Sequence, residues 1–163
     1  MNAENTQTKT IVFVEDNPVV LMAYRNHLAQ QGFHIKPAKD GLEALKILSR
    51  LVPDVVILDL MLPKFDGVDV LKFIQTNSRL KAVPVIILSA KATIDPAEEY
   101  VLESANRRLL KGECTPALLL QAVRELLAHP SAQSGVSSAN QSDDSKPTES
   151  KTGSVPIDIH VAT

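Results

Sequence analysis

Three short runs limit what this chain can become: TIVFV (10–14), DVVIL (54–58) and PVIIL (84–88). In each, apolar and β-branched residues follow one another without the polar alternation of a strand that keeps one face wet. Such runs fit parallel strands covered on both faces. FHIK (33–36) and RRLL (107–110) are weaker strand candidates. Helical patterns fall between the strands, each opened by recognisable start chemistry. Asn17-Pro18 puts a cap residue before a proline at the first helical position. Asp40 with Glu43 reads as a capping box that has an acid in the usual Ser/Thr place. Asp66 can cap the helix VDVLKFIQ, Asp95-Pro96 opens PAEEYVLES, and Thr115-Pro116 opens ALLLQAVRELLA. Gly32, after LAQQ, suits the left-handed residue that ends a helix. Five strands alternating with five helices make an α/β fold, a doubly wound parallel sheet over residues 9–129.

The remaining residues, 130–163, change character. SAQSGVSSANQSDDSKPTESKTGS is polar and almost free of large apolar side chains, so it is expected to form a disordered tail. Its end, VPIDIHVAT, is either a short docking segment or a frayed terminus. Hydrophobic residues make up 44% of the chain but aromatics only 4%, so Val, Ile, Leu and Ala must carry the core. A formal charge of −2 gives no general attraction to nucleic acid or anionic membrane. There is no apolar run of membrane-spanning length, and MNAENTQTK lacks a signal-peptide core. One cysteine, Cys114, allows no internal disulfide and reads as a small residue near a helix start. A cytoplasmic protein is the expectation.

In doubly wound sheets, function gathers at the carboxyl ends of the strands. Glu15 and Asp16 follow the first strand, Asp59 the third, Ser89 the fourth and Lys111 the fifth. Taken singly, these are caps, turn residues or solvated side chains; their shared position at one edge is what sets them apart. Converging carboxylates repel one another and are pushed toward protonation unless a cation intervenes. Mg²⁺, which prefers hard oxygen ligands, is the natural candidate. Asp16 and Asp59 are the expected ligands, with Glu15 binding directly or through water and the Met61 backbone carbonyl adding an oxygen. A cation, an ionised carboxylate, a lysine and a hydroxyl together suit phosphoryl transfer onto Asp59. Lys111 and the metal would neutralise the phosphoryl oxygens, and Ser89 would donate to one of them. The carboxylate needs no general base.

The text IVFVEDNP, AKDGLEAL, PDVVILDLMLPKFDG, VPVIILSA and the lysine of LLKG resembles the receiver domain of bacterial two-component response regulators, of the stand-alone, chemotaxis-regulator-like type. The resemblance covers residues 9–129. It implies a flavodoxin-like fold with strand order 2-1-3-4-5, Asp59 as phosphoacceptor, Glu15 and Asp16 as the acidic pair, Ser89 as the switch hydroxyl and Lys111 as the matching lysine. It further implies a histidine kinase or phosphotransfer protein as phosphodonor and an output protein that the sequence does not identify. The chemistry would be self-phosphorylation and self-dephosphorylation rather than turnover of an external substrate. Two positions depart from the family: Arg108 stands where an aromatic is usual, and Gly112 where a proline follows the lysine. Arg107 and Arg108 would either offer a basic patch to an acidic partner or discourage strand pairing at an exposed edge. Arg108 would keep its head in solvent while its stem packs.

Three functions compete. The first is a phosphorylated receiver that signals through protein contacts, since nothing after residue 130 resembles a DNA-binding or catalytic module. The second is a degenerate receiver acting as a phosphorylation-independent docking module, which the departures at Arg108 and Gly112 favour. The third is a phosphatase of the haloacid dehalogenase type, which needs a second acid where this chain has Met61. A dinucleotide site is disfavoured because no GxGxxG follows the first strand. The four histidines show no metal-ligand spacing.

Overall fold

The apolar runs become the middle of a five-stranded parallel sheet of order β2-β1-β3-β4-β5. The coordinates are a computed structural model that describes residues 8–63, 65–90, 99 and 101–129. The strands are β1 (Thr10–Val14), β2 (His34–Ala38), β3 (Val55–Leu58), β4 (Val85–Ser89) and β5 (Arg107–Leu110). The helices are α1 (Pro18–Gln30), α2 (Gly41–Arg50), α3 (Gly67–Thr76) and α4 (Pro116–Ala128). The helix expected over PAEEYVLES falls partly outside the described residues; its end closes one turn, with the Glu103 N–H donating to the Glu99 carbonyl at 2.9 Å. The expected tail and its terminal VPIDIHVAT lie outside the described residues altogether.

Every residue of β3 is fully buried, because helices cover both faces of the sheet. Val12, Val14, Val56, Leu58 and Ile87 pack against Leu48, Leu71 and Ile74 of α2 and α3. On the opposite face, Ile11, Phe13, Ile57, Ile86 and Leu88 pack against Tyr24, Leu28, Leu119 and Val123 of α1 and α4. The start signals of these four helices are all in use. Asn17, Asp40, Asp66 and Thr115 each accept N–H groups of the turn they open. A cap of this kind contributes about 1 kcal/mol. The return bond of the Asp40 box reaches one residue further back than the cap, Glu43 Oε2 accepting the Lys39 N–H at 3.0 Å. Gly32 ends α1 with φ +88°, the left-handed conformation that glycine adopts without a steric cost.

Strand boundaries differ in places from the sequence reading. β2 starts at His34 and continues through Pro37 to Ala38. The His34 N–H bonds the Lys9 carbonyl, and the Ala38 carbonyl accepts the Glu15 N–H, each at 2.9 Å. Alternation then turns Pro37, which has no N–H, toward the open edge, where a proline is tolerated. Asp54 stands outside β3 because its carboxylate accepts the Thr10 N–H at 2.8 Å and the Lys9 ammonium at 2.9 Å. β4 begins at Val85 rather than Pro84 and takes in Ser89. Among the described residues, no helix is long and apolar enough to cross a membrane.

Ile57 is fully buried, and truncating it leaves a cavity in the middle of the α1/α4 face. Ile57→Ala should lower unfolding free energy by about 2–5 kcal/mol in urea titration. A loss well under 1 kcal/mol would mean that this layer is not close-packed.

Candidate functional site

Parallel strands end at one edge of the sheet, so the polar residue after each apolar run arrives at the same place. The Asp59 N–H bonds the Val14 carbonyl at 3.0 Å, which brings the end of β3 against the end of β1. Glu15 and Asp59 are almost wholly buried, 1% and 2% exposed, whereas Asp16 is exposed. Carboxylate oxygens of Glu15, Asp16 and Asp59 all lie within 4.8 Å of one another. Lys111, just past β5, extends its ammonium into this group, 2.7 Å from Asp59 Oδ2 and 2.7 Å from Glu15 Oε2. The contact to Asp59 is a directed hydrogen bond. Glu15 Oε2, in contrast, has the charge of Lys111 beside it but no well-directed hydrogen bond, although it is buried.

The remaining oxygens are fixed by backbone. Asp59 Oδ1 accepts the Met61 N–H at 3.0 Å, and Glu15 Oε1 accepts the Asn17 N–H at 3.2 Å. Ser89 is buried at the end of β4, and its carbonyl accepts the Lys111 N–H at 2.8 Å. Of the residues singled out in the sequence, Glu15, Asp59 and Lys111 therefore meet directly, and Asp16 brings an oxygen within 4.8 Å of the other two carboxylates. Ser89 joins them through the backbone of Lys111, and Met61 through its amide, with its side chain exposed. Gly112 does not prevent the Lys111 ammonium from reaching the acids.

Two contributions escape the sequence reading. Gly67 opens α3 so close to the end of β3 that a Cβ there would fall 2.3 Å from the Asp59 carbonyl oxygen and 2.6 Å from Leu60 Cα. The visible signal is the pair Asp66-Gly67, whose sequence points only to the cap. The Asn17 amide has no signal, since a backbone N–H carries no side-chain signature. Arg107 and Arg108 do not form an open basic patch. Arg107 pairs with Glu125 at 2.8 Å and Arg108 with Glu99 at 2.6 Å, the Arg108 side chain staying 40% exposed.

The electrostatics follow from burial. Desolvation pushes the Glu15 carboxyl above its ordinary value and Asp59 adds to the push, while Lys111 and the Asn17 amide pull it back only in part. Burial opposes the charge on Lys111, but the hydrogen bond to Asp59 and the close pairing with Glu15 outweigh it and hold its pKa above the ordinary lysine value. Hard carboxylate oxygens gathered this closely, one of them buried without a directed hydrogen bond, fit a divalent cation.

Residues 11–124 match the family described as the response regulator receiver domain. Polar-differentiation response regulator DivK of Brucella ovis is 27% identical over 107 residues, covering 66% of this chain and 80% of that protein. Among solved structures, the receiver domain of a sensor histidine kinase of Pseudomonas aeruginosa, with a magnesium ion coordinated in its active site cleft, is 27% identical. The match covers 75% of this chain and 99% of that one, with a TM-score of 0.67. A putative response regulator from Chloroflexus aurantiacus is 28% identical, with a TM-score of 0.67 and coverage of 76% and 100%.

The raised Glu15 pKa has a definite sign. The folded state holds this proton more tightly than the unfolded chain does. The contribution of Glu15 to stability therefore falls as pH rises from the ordinary carboxyl value through the raised one. Lys111 acts in the opposite range, its contribution being intact below the ordinary lysine value and lost above the raised one. In cation-free buffer, the stability of Glu15→Gln relative to wild type should climb as pH rises from acid toward neutral. Urea midpoints measured across that range check this, and a flat or falling difference would contradict it.

Proposed function

This chain belongs to the family of response regulator receiver domains, and on that premise we propose that Asp59 accepts a phosphoryl group from a histidine kinase or phosphotransfer protein. The phosphorylated chain then signals by changing its affinity for an output protein. The observation that carries this reading is Lys111 Nζ at 2.7 Å from both Asp59 Oδ2 and Glu15 Oε2, at the rim of the acid cluster.

The Asp59 carboxylate is aimed by two bonds, from the Met61 N–H to Oδ1 and from Lys111 to Oδ2. A carboxylate oxygen attacks the phosphorus of a phosphohistidine, an O–P bond forms, and the P–N bond breaks with its electron pair passing to the imidazole. The product is an acyl phosphate on Asp59. Asp16, Asp59 and Glu15, with the Met61 carbonyl as a further oxygen, would hold a magnesium ion, which when bound would supply neutralising positive charge for the phosphoryl oxygens. Lys111 turns from Oδ2 to a phosphoryl oxygen, and the Ser89 hydroxyl donates to another. The magnesium ion coordinated in the active site cleft of the Pseudomonas aeruginosa receiver domain supports magnesium as the ion for this site. Hydrolysis of the acyl phosphate returns the chain to its starting state, so the chemistry is confined to its own side chain. A cytoplasmic site of action accords with this exchange between proteins.

Arg108, in the place of the family's usual aromatic, favours a second reading in which the domain docks without phosphorylation. One experiment separates the two. With Mg²⁺ and acetyl phosphate, the intact mass of the wild type should rise by one phosphoryl group, while Asp59→Asn should gain none. A wild type that stays unmodified would favour the docking module.

A further inference from the structure

The edge strand β5 is tied to its surroundings by charge as well as by the sheet. Neighbouring side chains on a strand point to opposite faces, so its two arginines reach in opposite directions. Arg107 bonds Glu125 on α4, and Arg108 bonds Glu99 in the turn 99–103. That turn is firmly seated, with Val101 and Leu102 buried in the core beside α3, and Gln75 Nε2 donating to the Val101 carbonyl at 3.0 Å. The Glu99 carboxyl is held below its ordinary value by the hydrogen bond from Arg108, and Glu103 adds further attraction for the guanidinium. Arg108 thus connects β5 to Glu99, two residues before the buried Val101 and Leu102.

The other end of this strand reaches the acid cluster. Leu110 is followed by Lys111, whose N–H bonds the Ser89 carbonyl and whose ammonium holds both Asp59 and Glu15. A phosphoryl group on Asp59 places new anionic oxygens beyond the carboxylate, and the ammonium must re-aim from Oδ2 and Glu15 toward them. Lys111 is only 19% exposed and is closely confined, so part of that adjustment falls on its backbone and on β5.

We propose that Arg108 and Glu99 are positioning residues for phosphorylation at Asp59: their ion pair pins β5 to the turn 99–103 in the unphosphorylated arrangement and opposes the adjustment of Lys111. The pair acts through the strand and touches neither the phosphoryl group nor its donor. Both partners are about 40% exposed, which limits the coupling to that of a partly screened surface pair. The expected effect on the equilibrium at Asp59 is correspondingly modest, about twofold to fivefold.

The inference rests on Asp59 being the phosphoacceptor, and one titration keeps the two claims apart. Beryllofluoride with Mg²⁺, a phosphoryl mimic for carboxylates, is titrated into the full chain while the Met61 amide signal is followed. Wild type, Glu99→Gln, Arg108→Gln and the double variant are compared. Each single variant should bind beryllofluoride about twofold to fivefold more tightly than wild type, and the double variant no more tightly than either. A purely structural role would lower the unfolding temperature without tightening binding. Unchanged or weakened binding in the single variants, or additive effects in the double variant, would overturn the positioning role while leaving the phosphoacceptor in place. A wild type with no saturable response would overturn the phosphoacceptor, and the positioning role with it.

Discussion

One ammonium lies within 2.7 Å of two buried carboxylates, and the rest of the site depends on that contact. Glu15 and Asp59 are too deeply buried for water to stabilise their charges well, and Asp16 brings a third carboxylate oxygen within 4.8 Å of theirs. Without a cation such a group repels itself, and Glu15, raised above its ordinary value chiefly by burial, is pushed a little further by the Asp59 charge. Lys111 offsets part of this from one side. The uncompensated remainder is what suits this group of acids to a divalent cation. The same electrostatic conflict that limits stability is what suits the site to the proposed function.

The fold makes that conflict possible. Parallel strands ending at one edge bring together residues far apart in the chain, and close packing keeps them there. Gly67 lets α3 begin against the Asp59 backbone, Gly41 lets α2 begin against the Phe65 backbone, and Tyr24 fixes the loop after β5 by donating to the Cys114 carbonyl at 2.5 Å. Burial pushes the Tyr24 hydroxyl up to about 12, so it stays protonated and keeps donating across the ordinary pH range. Cys114 is buried beside it and packs as a small apolar residue, in keeping with its place before the Thr115 cap.

Much of this is legible in the sequence because it rests on local patterns. The unbroken runs of β1, β3 and β4 announce strands covered on both faces, and Asn17, Asp40, Asp66 and Thr115 announce their helices. The acids and the lysine stand out because each comes directly after a strand, where a polar residue abruptly ends an apolar run. The features that escape a sequence reading depend on neighbours distant in the chain. Pro37 looks like a strand breaker unless β2 is known to be an edge. Gly67 looks like a turn residue because the backbone it nearly touches arrives from β3. Arg107 and Arg108 leave a basic patch and an edge guard both open in the sequence because their partners, Glu125 and Glu99, lie on other elements.

The convergence of Glu15, Asp16 and Asp59 on a divalent cation is tested most directly by amide NMR during a magnesium titration. The Asn17 and Met61 amides are the reporters, since they donate to Glu15 Oε1 and Asp59 Oδ1. Both signals should move along a saturable curve in the wild type, and the curve should weaken strongly in Asp16→Asn. Signals that stay in place at high magnesium, or that drift without saturating, would contradict a built cation site at this edge of the sheet.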